Sequence, residues 1–238
     1  MKKTLAIVFA VVLAFSLVAC QPADDTDKKS EGVMTYEEYV AAELNSEVVI
    51  ETYVQANQSW WEKDGQGVVT VYSQDHDGAY FIYEMACSKE DAAKLTKGTK
   101  IKVTGTKGEW EGEVEIMDAT FEFVNDGKTY VAEATDVTAL LGTDDLIKHQ
   151  NKFVSFKGVT IDSVTYKNDA PGDDIYVTIA VGEAKYDFCV ESYLIGADTD
   201  TYKAFADLKQ GDKVDIEGFL YWYKGVNTHI TSVAKVAE

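Results

Sequence analysis

Apolar, polar and glycine positions follow the same pattern in two segments of the chain. Residues 95–105 and residues 208–218 both read Leu-x-x-Gly-x-Lys-(Ile/Val)-x-(Ile/Val)-x-Gly, at a constant separation of 113 residues. After the lysine, apolar residues alternate with polar ones, which predicts a strand with one buried face. The first glycine is placed to end a helix, and the last glycine permits a kink or bulge. A repeat of this size predicts two copies of one fold.

The segments around the two repeats predict the same order of elements. In the first copy, strand-like runs cover 47–56, 67–72, 79–83 and 113–123, with a helix over 88–95. In the second copy they cover 152–166, 174–181, 185–190 and 227–236, with Tyr202, Phe205 and Leu208 at helical spacing. The order β-β-β-α-β-β, with a long first strand that bends at Gly158 in copy two, is that of the oligonucleotide/oligosaccharide-binding (OB) barrel. The predicted fold class is therefore all-β with short helices, in the form of two tandem five-stranded OB-type β-barrels.

Shorter segments complete the predicted organisation. Helices are expected over 35–44 and 143–149, and a last strand and linker over 128–137. The first barrel is predicted to occupy residues 34–133 and the second barrel residues 138–238.

The start of the chain has the pattern of an export signal. Lys2 and Lys3 precede an apolar run from residue 5 to residue 18, which is too short for a membrane span of about 20 residues. The run ends Leu-Val-Ala-Cys20, which resembles the bacterial lipobox. That resemblance implies lipid on the Cys20 thiol and cleavage before it, so that residues 1–20 form the signal peptide. An ordinary secretory signal is the alternative.

The remainder of the leader region predicts a membrane-anchored, extracytoplasmic protein. Residues 21–33 are polar, charged and without periodicity, which is typical of a flexible tether. Two acyl chains hold a protein stably on a bilayer, whereas one chain holds it only marginally. The expected partner of this end of the chain is the cell membrane, through lipid on Cys20.

Three segments of the first copy resemble a known group of proteins. These are 35–42, beginning Thr-Tyr-Glu-Glu-Tyr, then 47–61, ending Ser-Trp-Trp, and 78–83, Gly-Ala-Tyr-Phe-Ile-Tyr. Together they resemble uncharacterised bacterial surface lipoproteins built from tandem OB-like domains. The resemblance covers the first copy well and the second loosely, and it implies fold and location but no activity.

The charge balance argues against a polyanionic partner. The chain has 41 acidic and 22 basic residues, a formal net charge of −19, and no arginine. Loss of Lys2 and Lys3 with the leader takes the net charge to −21. Arginine is the usual bidentate ligand of phosphate, and a strongly acidic protein repels polyanions at long range. Nucleic acid is therefore predicted to be an unlikely partner.

The sequence contains no pattern typical of catalysis or of a metal or cofactor site. His76, His149 and His229 lie outside any recognised nucleophile context, and neither a Cys-x-x-Cys pair nor a phosphate-binding glycine loop is present. We predict no enzyme activity, no catalytic residue, no cofactor and no metal. The acidic segments 75–78 and 168–174 do not match the twelve-residue calcium loop and are interpreted as turns.

The two cysteines after Cys20 are predicted to be buried free thiols. Cys87 and Cys189 lie near the ends of equivalent strands in the two copies. Their Cα atoms are therefore expected to be farther apart than the roughly 4.4–6.8 Å that a disulfide requires.

Aromatic residues near two loops are the best candidates for a ligand site. Trp61 lies after the first strand, Trp110 lies in the turn before the last strand, and Trp222 lies in the matching turn of copy two. Tyr53 shares strand parity with Trp61, whereas Trp60 has the parity of the core. These loops border the ligand face in OB barrels. We therefore predict that Tyr53, Trp61, Trp110 and Trp222 bind ligand, with Trp61 and Trp110 on one exposed aromatic surface.

Two interpretations of these aromatics remain open. In the first, the chain is a non-enzymatic binding module whose ligand is a neutral glycan, a peptide or an envelope protein. In the second, it is a structural or assembly partner in the envelope. Its barrels would then pack on another protein. A separate alternative to any ligand site is that the aromatics cap the barrels or fill the space between them.

Overall fold

The computed structural model describes residues 28–236 and contains two mostly antiparallel sheets of six strands each. The strands of the first sheet are β1 (Glu47–Asn57), β2 (Trp61–Lys63), β3 (Gln66–Gln74), β4 (Ala79–Ala86), β5 (Lys100–Trp110) and β6 (Glu113–Phe123). The strands of the second sheet are β7 (Thr135–Asp136), β8 (Phe153–Tyr166), β9 (Ile175–Val181), β10 (Ala184–Val190), β11 (Lys213–Phe219) and β12 (His229–Lys235). The signal peptide, Cys20 and most of the tether lie outside the described residues.

Short helices connect the strands. The α-helices are α1 (Tyr36–Ala41), α2 (Lys89–Ala92), α3 (Ser192–Ile195) and α4 (Asp200–Ala206). Short 3-10 helices cover Thr138–Leu140, Leu146–His149 and Lys167–Asp169. Within residues 28–236, every helix is too short or too polar to cross a bilayer.

Five strands of each sheet close on themselves in the order that the sequence predicts. In the first sheet β1 pairs with both β5 and β3, and β4 pairs in parallel with β6. In the second sheet β8 pairs with both β11 and β9, and β10 pairs in parallel with β12. The predicted all-β, OB-like fold class is confirmed. The sixth strand of each sheet, β2 or β7, is a short edge strand. The sequence analysis did not predict β2, whereas β7 lies within the strand and linker predicted over 128–137.

Helix starts follow from local hydrogen bonding. Thr35 begins α1 with a capping box, in which its side chain accepts from the Glu38 amide and the Glu38 carboxylate accepts from the Thr35 amide. Ser88 caps α2, because its hydroxyl oxygen accepts from the Asp91 amide at 3.0 Å. The helix predicted over 143–149 is shorter in the structure, where a four-residue 3-10 helix covers 146–149.

The glycines of the repeat occupy equivalent places in the two sheets. Gly98 and Gly211 both have positive φ, at +89° and +92°, and their amides donate to the carbonyls of Val54 and Ile161, each at 2.8 Å. The last glycine of the motif, Gly105 or Gly218, lies at an irregularity in strand register. The predicted bulge is therefore confirmed, but the predicted helix cap is wrong: α2 ends with Ala93 as its C-cap and α4 with Asp207, whereas Gly98 and Gly211 lie in the turns that lead into β5 and β11.

Gly158 bends the long strand β8 as predicted. It has φ of +60°, and the pairing of β8 with β11 shifts register across it, from Val159 to Phe156. The bend lets one strand pair with β9 at one end and with β11 at the other.

Each closed sheet has its own apolar core. In the first, completely buried residues such as Val48 and Ile50 alternate along β1 and pack against Leu95 of the repeat. In the second, the predicted helical residues Tyr202, Phe205 and Leu208 cover the core. Cys87 and Cys189 are buried and free, one against each sheet, as the thiol prediction requires.

The positive-φ glycines of the repeat give a first testable prediction. Gly211→Ala adds a Cβ that meets no atom within 4 Å, so its cost is left-handed backbone strain of about 1–2 kcal/mol. Gly98→Ala should cost more, because its Cβ would lie 2.4 Å from the Thr129 hydroxyl oxygen. Denaturant unfolding measures both, with the exposed neighbour Gln210→Ala as the control. Equal stability of all three variants would contradict the account.

The thiols give a second prediction. Burial raises the pKa of Cys87 to about 11 and raises that of Cys189 further, so both resist conversion to the reactive thiolate at neutral pH. In a soluble form without residues 1–20, a thiol reagent should label neither cysteine in the native protein and both in denaturant without reductant. Fewer than two labelled sites after denaturation would mean that the cysteines are oxidised.

Candidate binding cleft and the seam between the sheets

Aromatic side chains from both sheets meet in one buried cluster, which we call the seam. It contains Tyr72 and Phe81, which are cross-strand partners on β3 and β4, and Phe219 at the end of β11. The ring of Tyr72 stacks on that of Phe219, with centroids 4.6 Å apart, and Phe81 meets Tyr221 at 5.2 Å. In the OB fold the second and third strands of the barrel usually carry the ligand face, and these correspond to β3 and β4 here. The seam therefore occupies the usual ligand face of the first sheet.

A polar network closes one side of the seam. The Tyr72 hydroxyl lies 2.6 Å from His229 Nδ1 and 2.9 Å from a carboxylate oxygen of Glu191, and Gln58 donates to the same oxygen. Burial lowers the pKa of His229, which favours the neutral imidazole. The network joins β3 and the loop after β1 to β10–α3 and β12 of the second sheet.

The opposite side of the seam is held by the turn between β5 and β6. Glu113 accepts from the Trp222 amide at 2.8 Å, and Gln150 donates to the Gly112 carbonyl at 2.8 Å. A side chain at Gly112 would collide with Trp222, because its Cβ would lie 2.8 Å from the indole. The half-buried Trp222 therefore belongs to the contact between the sheets. For this residue the structure agrees with the alternative in which aromatics fill the space between the barrels.

An open cleft remains beside the seam, and we call it the aromatic cleft. It has a volume of about 330 Å³ and is lined by Gln58, Ser59, Trp61, Thr70, Tyr83, Glu84 and Tyr193. Trp61, Tyr83 and Tyr193 are 45%, 40% and 64% exposed, although all three are large aromatics. Trp61 and Tyr83 come from the first sheet and Tyr193 from α3 beside the second. Three exposed rings around one cavity are suited to stacking on planar or ring-faced ligands.

Backbone hydrogen bonds fix the two walls of the cleft. The Ser59 amide donates to the Tyr193 carbonyl at 2.9 Å, which joins the loop after β1 to α3. Trp61 is held on β2 by pairing with Val68 of β3. The neighbouring Trp60 turns the other way, and its indole N–H donates to the Cys87 carbonyl at 2.8 Å.

The floor of the cleft carries balanced charge. Glu84 forms an ion pair with Lys63, whose ammonium also lies 5.9 Å from the centroid of the Tyr83 ring. Partial burial and the Glu84 carboxylate raise the pKa of Tyr83, so its hydroxyl stays protonated. A second cavity of about 520 Å³ shares Tyr83 and Glu84 and continues along β4 toward Asp64 and Asp118. The combined groove is aromatic at one end and acidic at the other.

The structure separates Trp61 from Trp110. Trp61 pairs with Val68 of β3, which pairs with Ala86 at the end of β4. Trp110 pairs with Glu113, and the parallel pairing of β6 with β4 places Glu113 beside the start of β4. At roughly 3.3 Å per residue, the strand register places them about 20 Å apart along the sheet. Trp110 is 58% exposed, as expected of a turn residue, but it does not share the cleft. The strand register therefore places Trp61 and Trp110 on separate parts of the first sheet, contrary to the expectation that they form one exposed surface.

Tyr53 is covered, contrary to the expectation that it faces ligand. It is 2% exposed, and its ring meets that of Tyr130 at 5.8 Å. The segment after β6 crosses back over β1, where the Ala132 amide donates to the Gln55 side chain. Parity along β1 alone could not reveal this covering segment.

Two cleft residues were missed in the sequence analysis. Tyr83 has the same strand parity as Phe81, so alternation along β4 indicated an outward ring. Tyr193 lies in a short helix without apolar periodicity, and no sequence signal pointed to it.

Both acidic turns use their carboxylates internally. Asp75 accepts from the amides of Asp77 and Gly78 and pairs with Lys29 at 2.7 Å. Asp174 pairs with Lys167 at 3.0 Å. Across residues 28–236 we find no group of three or more histidines, cysteines or carboxylates placed to hold a metal ion.

Comparison with known proteins assigns the chain to no family. No protein family model and no curated protein matches the sequence. A murine DNA binding protein bound with double-stranded DNA aligns with a TM-score of 0.38 at 14% identity, over 80% of this chain and 97% of that chain. The p204 HINb domain aligns at 0.37 and 12%, over 82% and 100%. The Ifi202 HINa domain in complex with 20-bp double-stranded DNA aligns at 0.37 and 12%, over 81% and 100%.

These structures correct one expectation. We expected a neutral glycan, a peptide or an envelope protein as ligand and nucleic acid as an unlikely partner, but two of the aligned structures hold double-stranded DNA. The expectation rested on net charge, which acts at long range and is screened within about 8 Å at physiological salt. Net charge does not determine the chemistry of a local contact surface.

Proposed function

We propose that this chain is a non-catalytic binding protein whose aromatic cleft stacks on unpaired bases of a nucleic-acid strand. The observation that carries the proposal is the convergence of Trp61, Tyr83 and Tyr193 on one cavity beside the first sheet's ligand face. Base–aromatic stacking contributes about 1–3 kcal/mol per base and tolerates any base. The cavity volume falls within the roughly 300–1,000 Å³ range of small-ligand sites.

The charges at the cleft favour bases over phosphates. Lys63 lines the adjoining cavity, and it forms an ion pair with Glu84, which lines both that cavity and the cleft. Ordinary single-strand binding weakens with salt because lysines and arginines release counterions from phosphates. Here the acidic protein repels phosphate, so added salt should leave affinity unchanged or raise it. Duplex DNA, whose bases are already paired and stacked, should bind more weakly than a single strand.

Substitution of Trp61 tests this proposal. Trp61→Ala should weaken binding of a fluorescently labelled single-stranded oligothymidine by roughly 5- to 150-fold, the loss of one stacked base. Fluorescence anisotropy measures the Kd at about 50 mM and about 200 mM salt. Trp110→Ala is the matched control, because it removes another exposed indole about 20 Å from the cleft.

Three results would count against the proposal. Equal affinity of the Trp61→Ala and Trp110→Ala variants would show that the cleft does not bind the oligonucleotide. Steep loss of affinity with salt would indicate phosphate contacts elsewhere. Binding of a neutral oligosaccharide with no measurable binding of the oligonucleotide would exclude nucleic acid as the ligand.

We further propose that the protein is held outside the cytoplasm on the cell membrane by lipid at Cys20. The support is the sequence alone, in the apolar run that ends Leu-Val-Ala-Cys20. Two or three acyl chains there would anchor the polar tether stably.

Labelling with a fatty-acid analogue tests the anchor. Wild type should incorporate the label, and Cys20→Ser should remain unlabelled and accumulate as the precursor. Cys87→Ser serves as the control, because that cysteine is buried in the first sheet. Equal labelling of wild type and Cys20→Ser would refute the anchor.

A further inference from the structure

Glu113 is a carboxyl group enclosed by the contact between the two sheets. It starts β6, is completely buried, and accepts hydrogen bonds at Oε2 from the Trp222 amide and the Gln150 amide group, at 2.8 and 3.2 Å. Both donors lie in segments next to strands of the second sheet, Gln150 before β8 and Trp222 after β11, and these segments pack against the first sheet. Its other oxygen, Oε1, is buried without a hydrogen-bond partner.

The rest of this contact depends on the same turn. Gln150 also donates to the Gly112 carbonyl, Asn151 donates to the Val114 carbonyl at 3.0 Å, and the Lys224 amide donates to the Glu111 carbonyl at 2.8 Å. Residues 111–114 are therefore held at every position by groups from 150–151 and 222–224. A change in the charge of Glu113 acts at the centre of these bonds.

No cation compensates a charge at this position. Within the described part of the chain, Glu113 forms no ion pair, and the titratable groups that face it are Glu115 on its own strand, Tyr39 on α1 and Tyr221 after β11. Glu84 of β4 in turn faces Glu115. An ionised Glu113 would leave a buried carboxylate among other acids, which is among the costlier arrangements in a protein.

We propose that Glu113 is a pH-sensitive latch, which holds the two sheets together when it is uncharged and releases the 222–224 segment when it ionises. Released, the turn would expose Glu113 to water, where the charge is solvated. Release would also uncover the aromatic face formed by Tyr72 and Phe81. Because Tyr193 reaches the aromatic cleft from the second sheet, release would dismantle that cleft too; this last consequence alone rests on the proposed function.

The direction of the pH dependence follows from burial. Burial, as the largest cause, and the neighbouring Glu115 raise the pKa of Glu113 from 4.5 to about 8 in the docked arrangement. A raised carboxyl pKa stabilises the docked state fully below about pH 4.5, and this stabilisation is lost as the pH rises toward 8. Burial and Glu84 likewise raise the pKa of Glu115 to about 7, so it acts in the same direction.

Hydrogen exchange on the full mature chain tests the latch at pH values on either side of this range. After correction for intrinsic exchange rates, wild type should protect the 219–224 and 111–115 amides at about pH 5 and lose that protection at about pH 9. Glu113→Gln, which keeps the shape and both accepted hydrogen bonds without the charge, should retain protection at both. Glu109→Gln, which removes an exposed carboxylate from the same hairpin, should behave as wild type.

Each other outcome decides against the latch. Unchanged wild-type protection across the range overturns it without reference to any variant. Loss of protection in wild type and Glu113→Gln alike assigns the pH response to another group. Protection of the core strands β5 and β11, followed in the same spectra, reports whether Glu113→Gln folds. Oligonucleotide binding is not part of the readout, so failure of the latch and failure of the proposed function remain distinguishable.

Discussion

Burial of the aromatic face on β3 and β4 is the interaction on which the arrangement of this protein depends. Tyr72 and Phe81 point away from the first sheet's own core, and without Phe219 and Tyr221 they would face water. Burying each such ring stabilises the contact by about 1.5–3 kcal/mol, and the stacked and edge-on geometries add to this. The two sheets are therefore joined by an apolar contact of the kind found inside a single core.

That contact determines where a ligand has access. An OB sheet usually binds ligand across its second and third strands, bordered by the loops after its first and fourth strands. In the first sheet the second sheet's β11–β12 loop already lies over most of this surface. The part left open is the end near β2, and it becomes a cleft only because α3 of the second sheet supplies Tyr193. The candidate site is thus a product of the pairing of the sheets and not of either sheet alone.

The repeat motif made the fold accessible to prediction, because its signals are local. Gly98 and Gly211 mark the turns before β5 and β11, alternation marks the strands, and Gly158 marks the bend. Each signal involves neighbours in sequence. The site was only partly predictable. Trp61 was found because strand parity exposes it, but its distance from Trp110 depends on the register of β4 with β6. Tyr53 is covered by a segment that crosses from residue 130, and the seam joins residues more than 100 positions apart, so neither leaves a local pattern.

Of the properties taken from the sequence, net charge was the poorest guide to the structure of the site. A net charge of −19 describes the whole chain, yet it did not reveal that one acidic side chain, Glu113, lies inside the contact between the sheets. The effect of a charged residue depends on its surroundings in the fold. Glu113 and Glu111 are two residues apart, but one is enclosed and the other pairs with Lys224 at the surface.

Calorimetric unfolding tests most directly the claim that the seam joins the two sheets into one cooperative unit. At mildly acidic pH the mature chain should unfold in a single transition, with a van't Hoff enthalpy equal to the calorimetric enthalpy, because neither sheet can lose its partner without exposing the aromatic face. Two separate transitions, or a van't Hoff enthalpy near half the calorimetric value, would show that the sheets fold independently and would contradict the account.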